Sequence, residues 1–222
     1  MVTRTQADAP YSQLEYTSEF KKPILPAWPP GKLIEAVLGA LQPWGYTIRG
    51  VETSLQTNKL DELGITFRRT TPVGPSRSLT LGLGKVGISA QNLDWTEAEQ
   101  FITSQSAALN AVREVGGAEL ESQQLTLGMH IQLKDRLRKD VTAPLLSPTA
   151  SELFDGEPEF SGVIVSRERI TIVIDASVGL ANALYVRISR THPGELSFAD
   201  MAKVLREDEQ RVFDVLGLEG IL

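Results

Sequence analysis

The chain has 222 residues, of which 41% are hydrophobic and 23% charged, and a formal net charge of -6. It holds no cysteine, which excludes disulfides, thiolate catalysis and sulfur-based zinc centres, and fits a reducing compartment. No stretch approaches the roughly 18 unbroken apolar residues of a membrane span, Met1 to Pro10 lacks the apolar core of a secretory signal, and the negative balance works against phosphate backbones.

Residues 1–30 carry Pro10, Pro23, Pro26, Pro29 and Pro30 among Tyr11, Tyr16, Phe20 and Trp28. Proline at this density forbids a helix, and at most a short edge strand fits around Leu14, Tyr16 and Phe20. The stretch is predicted to be an N-terminal arm whose aromatics pack on something. From Gly31 to Gln42, Leu33, Ile34, Val37, Leu38 and Leu41 fall at helical spacing until Pro43 and Gly45 stop the run. Strands are predicted at Tyr46 to Gln56, Leu63 to Thr70 and Ser78 to Ala90. In the last of these, Leu79, Leu81 and Leu83 alternate and Val86 and Ile88 resume out of step, which marks a turn or a bulge at Gly84-Lys85.

Asp94-Trp95-Thr96-Glu97 forms a capping-box pattern, and apolar residues then recur three and four apart until Gly116-Gly117. Leu125, Leu127, Met129, Ile131 and Leu133 alternate as a strand with one buried and one polar face. The basic run Lys134, Arg136, Arg138 and Lys139 reads as a helical turn opening a long connection through Pro158. Strands return at Val163 to Val165, Arg169 to Ile174 and Leu184 to Ile188. A helix begins at Ser197 and carries Phe198, Met201, Val204, Leu205, Val212, Val215 and Leu216 inward.

These elements group as an arm (1–30), a first α+β half (31–133), an irregular connection (134–158) and a second half (159–222) completed by the strand at 119–133. The architecture expected is α+β: mainly antiparallel sheet with helices packed on one face, organised as a βββα unit that occurs twice. The parallel lies between Val86-Gly87-Ile88-Ser89 leading into Asp94-Trp95-Thr96-Glu97, and Val186-Arg187-Ile188-Ser189 leading into Ser197-Phe198-Ala199-Asp200. The run from Leu79 to Leu133, with its strand pair, aromatic-led helix and Leu125-Thr126-Leu127-Gly128-Met129-His130-Ile131, resembles a widespread group of uncharacterised prokaryotic proteins. Those carry a Leu-Gly-Leu-Arg-Tyr-like strand after a helix opened by Trp; this chain departs at Met129 and His130. The resemblance implies a fold and no known activity.

Catalytic signals are sparse. Gly82-Leu83-Gly84-Lys85-Val86-Gly87 spells GxGxxG, but a dinucleotide site needs the last glycine to open a helix, and Val86 and Ile88 read as strand. His130 is placed on the polar sheet face and His192 in a turn, and no HExxH or GxSxG occurs. Glu207-Asp208-Glu209 reads as an exposed acidic run, with Glu207 pairing Arg211 one turn on. No catalytic, cofactor or metal residues are assigned.

The expectation is a soluble cytoplasmic protein that associates with another copy of itself or another protein, with neither nucleic acid nor membrane as partner. The interaction surface expected comprises Tyr16, Phe20, Trp28, Lys134, Arg136, Arg138 and Lys139. The alternative is an enzyme or small-ligand receptor whose site lies in a groove between the two halves.

Overall fold

A computed structural model describes residues 4–24, 30–54, 63–69, 76–92, 95–145, 162–194 and 196–220, with the backbone alone at 95 and 96. The protein is α+β. Its elements are β1 (Thr5–Phe20), α1 (Gly31–Leu41), β2 (Tyr46–Ser54), β3 (Gly64–Arg69), β4 (Arg77–Gly82), β5 (Lys85–Gln91), α2 (Trp95–Gly116), β6 (Leu120–Leu133), α3 (Arg138–Thr142), β7 (Val163–Arg167), β8 (Ile170–Ala176), β9 (Ala183–His192), α4 (Phe198–Leu216) and β10 (Leu218–Glu219). Ladders join the strands in the order β2-β3-β4-β5-β1-β6-β9-β8-β7, with β10 beside β1. The registers described are antiparallel, except that Thr5 and Gln6 run parallel to Leu218 and Glu219. Among the described residues, no helix is long and apolar enough to cross a membrane.

Within the segment 1–30 expected as an arm, Thr5–Phe20 form a 16-residue strand. Pro10, the one proline within it, falls on the side of β10 and β5 between two ladders, the parallel pair at Thr5 and Gln6 and the antiparallel run from Gln13 to Glu19. A missing N–H is tolerated there. Nor is β1 an edge, since it lies between β5 and β6. From Leu14 onward its even positions, Leu14, Tyr16, Ser18 and Phe20, are buried.

The predicted strand Ser78 to Ala90 is two strands, because the slip in alternation is a chain reversal. Leu79 faces Ile88 and Leu81 faces Val86, with Leu83-Gly84 at the turn. Four strands therefore lie between α1 and α2, where three were expected. The GxGxxG run forms this hairpin.

The chain clusters into two compact units that are discontinuous in sequence. One comprises residues 13–126 and 191–204, the other residues 1–12, 127–190 and 205–222. In the first, α1 buries Leu33, Val37 and Leu41 and packs on α2. The Tyr16 and Phe198 rings meet edge-on with centroids 5.5 Å apart, and Phe101 lies 6.4 Å from Phe198. Tyr16 donates from its hydroxyl to Gln123 Oε1 at 2.6 Å, and Gln123 Nε2 in turn donates to the carbonyls of Pro193 and Leu196. One buried amide thus ties a core phenol to the turn that leads into α4.

In the second unit, β8 pairs β7 on one side and β9 on the other. Ile174 on β8 and Leu184, Val186 and Ile188 on β9 are buried, as are Leu205, Val212 and Leu216 on α4. The start of α4 belongs to the first unit, where Ser197 caps it: its hydroxyl accepts the Asp200 N–H at 3.1 Å and donates to the Asp200 carboxylate at 2.5 Å. Val215, expected inward, is exposed, and Phe213 is buried in its place.

Candidate functional site

Tyr16 and Phe20, expected at an interaction surface, are core residues. The period-two burial of a full-length strand turns both inward, and burial raises the Tyr16 phenol above the usual tyrosine range. Trp28 lies outside the described residues, as does the capping residue Asp94. The basic run is tied locally. Lys134 Nζ pairs with Asp8 Oδ2 at 2.6 Å, and Arg136 donates to Thr5 Oγ1 and to the Asp140 carbonyl. The Arg138 backbone N–H donates to Asn182 Oδ1 at 2.8 Å, while Asn182 Nδ2 donates to the carbonyls of Leu133 and Arg136. The segment is a brace around Asn182, which holds a left-handed φ of +48° that asparagine tolerates.

His130 bonds through Nδ1 to Ser177 Oγ at 2.9 Å and lies between the rings of Tyr11 and Tyr185. His192, expected in a turn, ends β9 and is buried. Among the described residues no three His, Asp or Glu side chains group as a metal site.

A different basic cluster converges in the second unit. The register that pairs Arg167 with Ile170, and Ile170 with Arg190, sets these three side chains in one row across β7, β8 and β9. The next row on that face is Val165, Ile172 and Ile188. The α4 stripe of Met201, Leu205, Asp208 and Val212 brings Asp208 to Arg190. Arg190 Nε donates to Oδ2 at 2.6 Å and Nη2 to Oδ1 at 2.8 Å, a bidentate fork on a carboxylate that is 2% exposed. Arg211, one turn further along α4, approaches the same carboxylate at 3.7 Å.

The acidic run therefore divides, because Asp208 and Glu209 are buried and Arg211 pairs with Asp208 rather than Glu207. Burial pushes the Glu209 carboxyl up to about 7, with Arg206 acting in the opposite direction.

Around the Arg190–Asp208 pair lies a cavity of about 370 Å³. It is lined by Arg167, Glu168, Arg169, Arg190, Asp208 and Arg211, with Ile170 and Ile172 as its apolar part. Four guanidiniums face two carboxylates, an excess of two positive charges. Arg167 and Arg169 flank Glu168 at the tip of the β7–β8 hairpin and are exposed. Arg190 is held by its pair with Asp208. The chemistry offered is recognition of a carboxylate or phosphate by planar forks, one of them fixed before the ligand arrives. Another concavity, of about 430 Å³ in the first unit, is lined by hydroxyls and amides such as Thr17, Thr80, Ser122 and Gln124 and has Glu19 and Lys85 as its charges. Its opposed charges select no ligand class.

The arginine groove has a sequence signal that motif reading misses. The inward stripe of β9 runs Leu184, Val186, Ile188 and then Arg190, and that of α4 contains Asp208. A charge set into an apolar stripe on each of two elements is the mark of a pair between them.

The chain matches no family model and no curated protein. Among solved structures it is similar to the crystal structure of the di-domain ARO/CYC BexL from the BE-7585A biosynthetic pathway. The identity is 10%, over 92% of this chain and 96% of that one, with a TM-score of 0.25. At that score the likeness carries no argument about fold or ligand.

Proposed function

We propose that the chain is a non-catalytic binding protein that holds an anionic group of another molecule in the arginine groove. The observation that carries this reading is the Arg190–Asp208 fork, which presents a pre-oriented guanidinium beside Arg167, Arg169 and Arg211. In a chain of net charge -6, a pocket with excess positive charge is a local reversal that draws anions to one place. The partner-binding role expected from the sequence is kept and moves from the N-terminal aromatics to this groove.

The test is titration of inorganic phosphate into the full chain at low ionic strength, followed by thermal shift and calorimetry. Phosphate is expected to raise Tm, with an affinity that falls steeply with added salt. The double variant Arg167→Gln, Arg169→Gln is expected to bind about tenfold more weakly, the scale of one lost charge-assisted hydrogen bond. Lys134→Gln with Lys139→Gln is expected to bind as the parent does. Equal binding by the Arg167/Arg169 variant discards the reading.

A further inference from the structure

β7 ends the strand order, so among the described residues one of its edges pairs with β8 and the other with no strand. Such edges are usually guarded by charge or proline, because their free N–H and C=O groups are a template for another strand. β7 reads Val-Ile-Val-Ser-Arg, with Ile164 72% and Val165 54% exposed, and its one charge, Arg167, belongs to the arginine groove.

We propose that β7 accepts an extended acidic segment of a partner protein as an added strand, with a carboxylate of that segment seated in the groove. This inference rests on the anion reading above and adds the partner's chemistry to it. Strand periodicity sets the pattern. Val165 and Arg167 point to one face and Ile164 and Ser166 to the other. A strand laid beside β7 follows the same alternation, so its residue beside Arg167 is acidic and the one two positions away on that face, beside Val165, is apolar. The residues beside Ile164 and Ser166 are apolar and small polar. The segment therefore reads apolar-apolar-polar-acidic along β7, in whichever direction it runs. Free phosphate satisfies the arginines and leaves Ile164 and Val165 uncovered, whereas a strand covers them while its backbone supplies the pairing. Charge complementarity limits the site further, since a chain of net charge -6 repels an acidic segment away from this groove.

The experiment uses the full chain and synthetic peptides containing Val-Val-Thr-Glu in either direction, with calorimetry and amide hydrogen exchange as readouts. Each peptide is also made with Gln for Glu, and N-methylated on the amides of one edge or of the other. The expected result is binding that weakens about tenfold for the Gln peptide and about tenfold for Arg167→Gln. One of the two N-methylated forms is expected to lose binding while the other keeps it, because a strand pairs through one edge only. Those amides of Val163 to Arg167 that point away from β8 are expected to gain protection. Equal binding by both N-methylated forms, or phosphate binding at Arg167 and Arg169 with no peptide binding, overturns this inference and leaves the anion reading standing. If neither phosphate nor peptide responds to Arg167→Gln with Arg169→Gln, both fall.

Discussion

Arg190 and Asp208 share two hydrogen bonds, of 2.6 and 2.8 Å, where the inward stripe of β9 meets that of α4. Taking one partner from a buried pair leaves the other without compensation, which costs several kcal/mol, more than the pair itself contributes. Asp208→Asn is expected to lower stability by about 3 kcal/mol. Arg190→Lys, which keeps the charge and loses the fork, is expected to cost about 1 to 2 kcal/mol. Urea denaturation checks both through a fall in midpoint at unchanged slope.

Glu168 occupies the first position of the two-residue loop between Arg167 and Ile170, with φ of +49°. A side chain in that region is strained by roughly 1 kcal/mol, and glycine is not. Glu168→Gly is expected to raise stability by about that amount despite the added freedom of the unfolded chain. Because Glu168 lines the groove, the same change removes a negative charge from the site. Phosphate affinity is therefore expected to rise along with Tm, a pairing that distinguishes relief of strain at the groove from general stabilisation.

Glu209 gives a pH dependence of definite sign. Its folded carboxyl titrates near 7 against an ordinary 4.5, so between those values the folded state holds a proton that the unfolded state has released. The contribution to stability is fully present below about 4.5 and is lost as pH rises through about 7. Glu209→Gln is expected to flatten stability over that window by about 2 to 3 kcal/mol relative to the parent. Denaturant midpoints of the two proteins from pH 4.5 to 8 are the measurement, and parallel curves would refute the assignment.

Gly194 sits where no larger residue fits. A Cβ there would stand 2.2 Å from the Leu120 carbonyl oxygen and 2.5 Å from that of Glu121. Both atoms are backbone, so Gly194→Ala must move the start of β6 or the turn into α4. A loss of about 3 kcal/mol is expected, the scale of overpacking a core. The shift should also break the bonds from Gln123 Nε2 to the Pro193 and Leu196 carbonyls, and with the turn loosened the Leu196 N–H, which donates to the Pro193 carbonyl, should lose its protection from hydrogen exchange.

Legibility in the sequence followed how far each element's signal was local. The Leu125 to Leu133 alternation belongs to β6, the run ending at Gly116 to α2, and Ser197 caps α4, because periodicity and capping are set within a few residues. β1 was misread because proline density describes the chain's own preferences, whereas its partners lie far away in β5 and β10. Tyr16 and Phe20 followed it, from surface to core. The groove was missed for the same reason: Arg167, Arg190 and Asp208 meet only through strand register and helix phase. The basic run Lys134 to Lys139 was conspicuous by composition, and the fold spends it on Asp8, Thr5 and Asn182.

The parallel pairing of Thr5 and Gln6 with Leu218 and Glu219 also bears on how the chain is made. During synthesis β1 waits through β5 for an antiparallel neighbour and through α4 for its parallel one. Contacts of such sequence separation slow folding and prolong the exposure of unpaired edges. β1 and β10 thus close on each other across more than two hundred residues, and losing either removes a strand from the same junction.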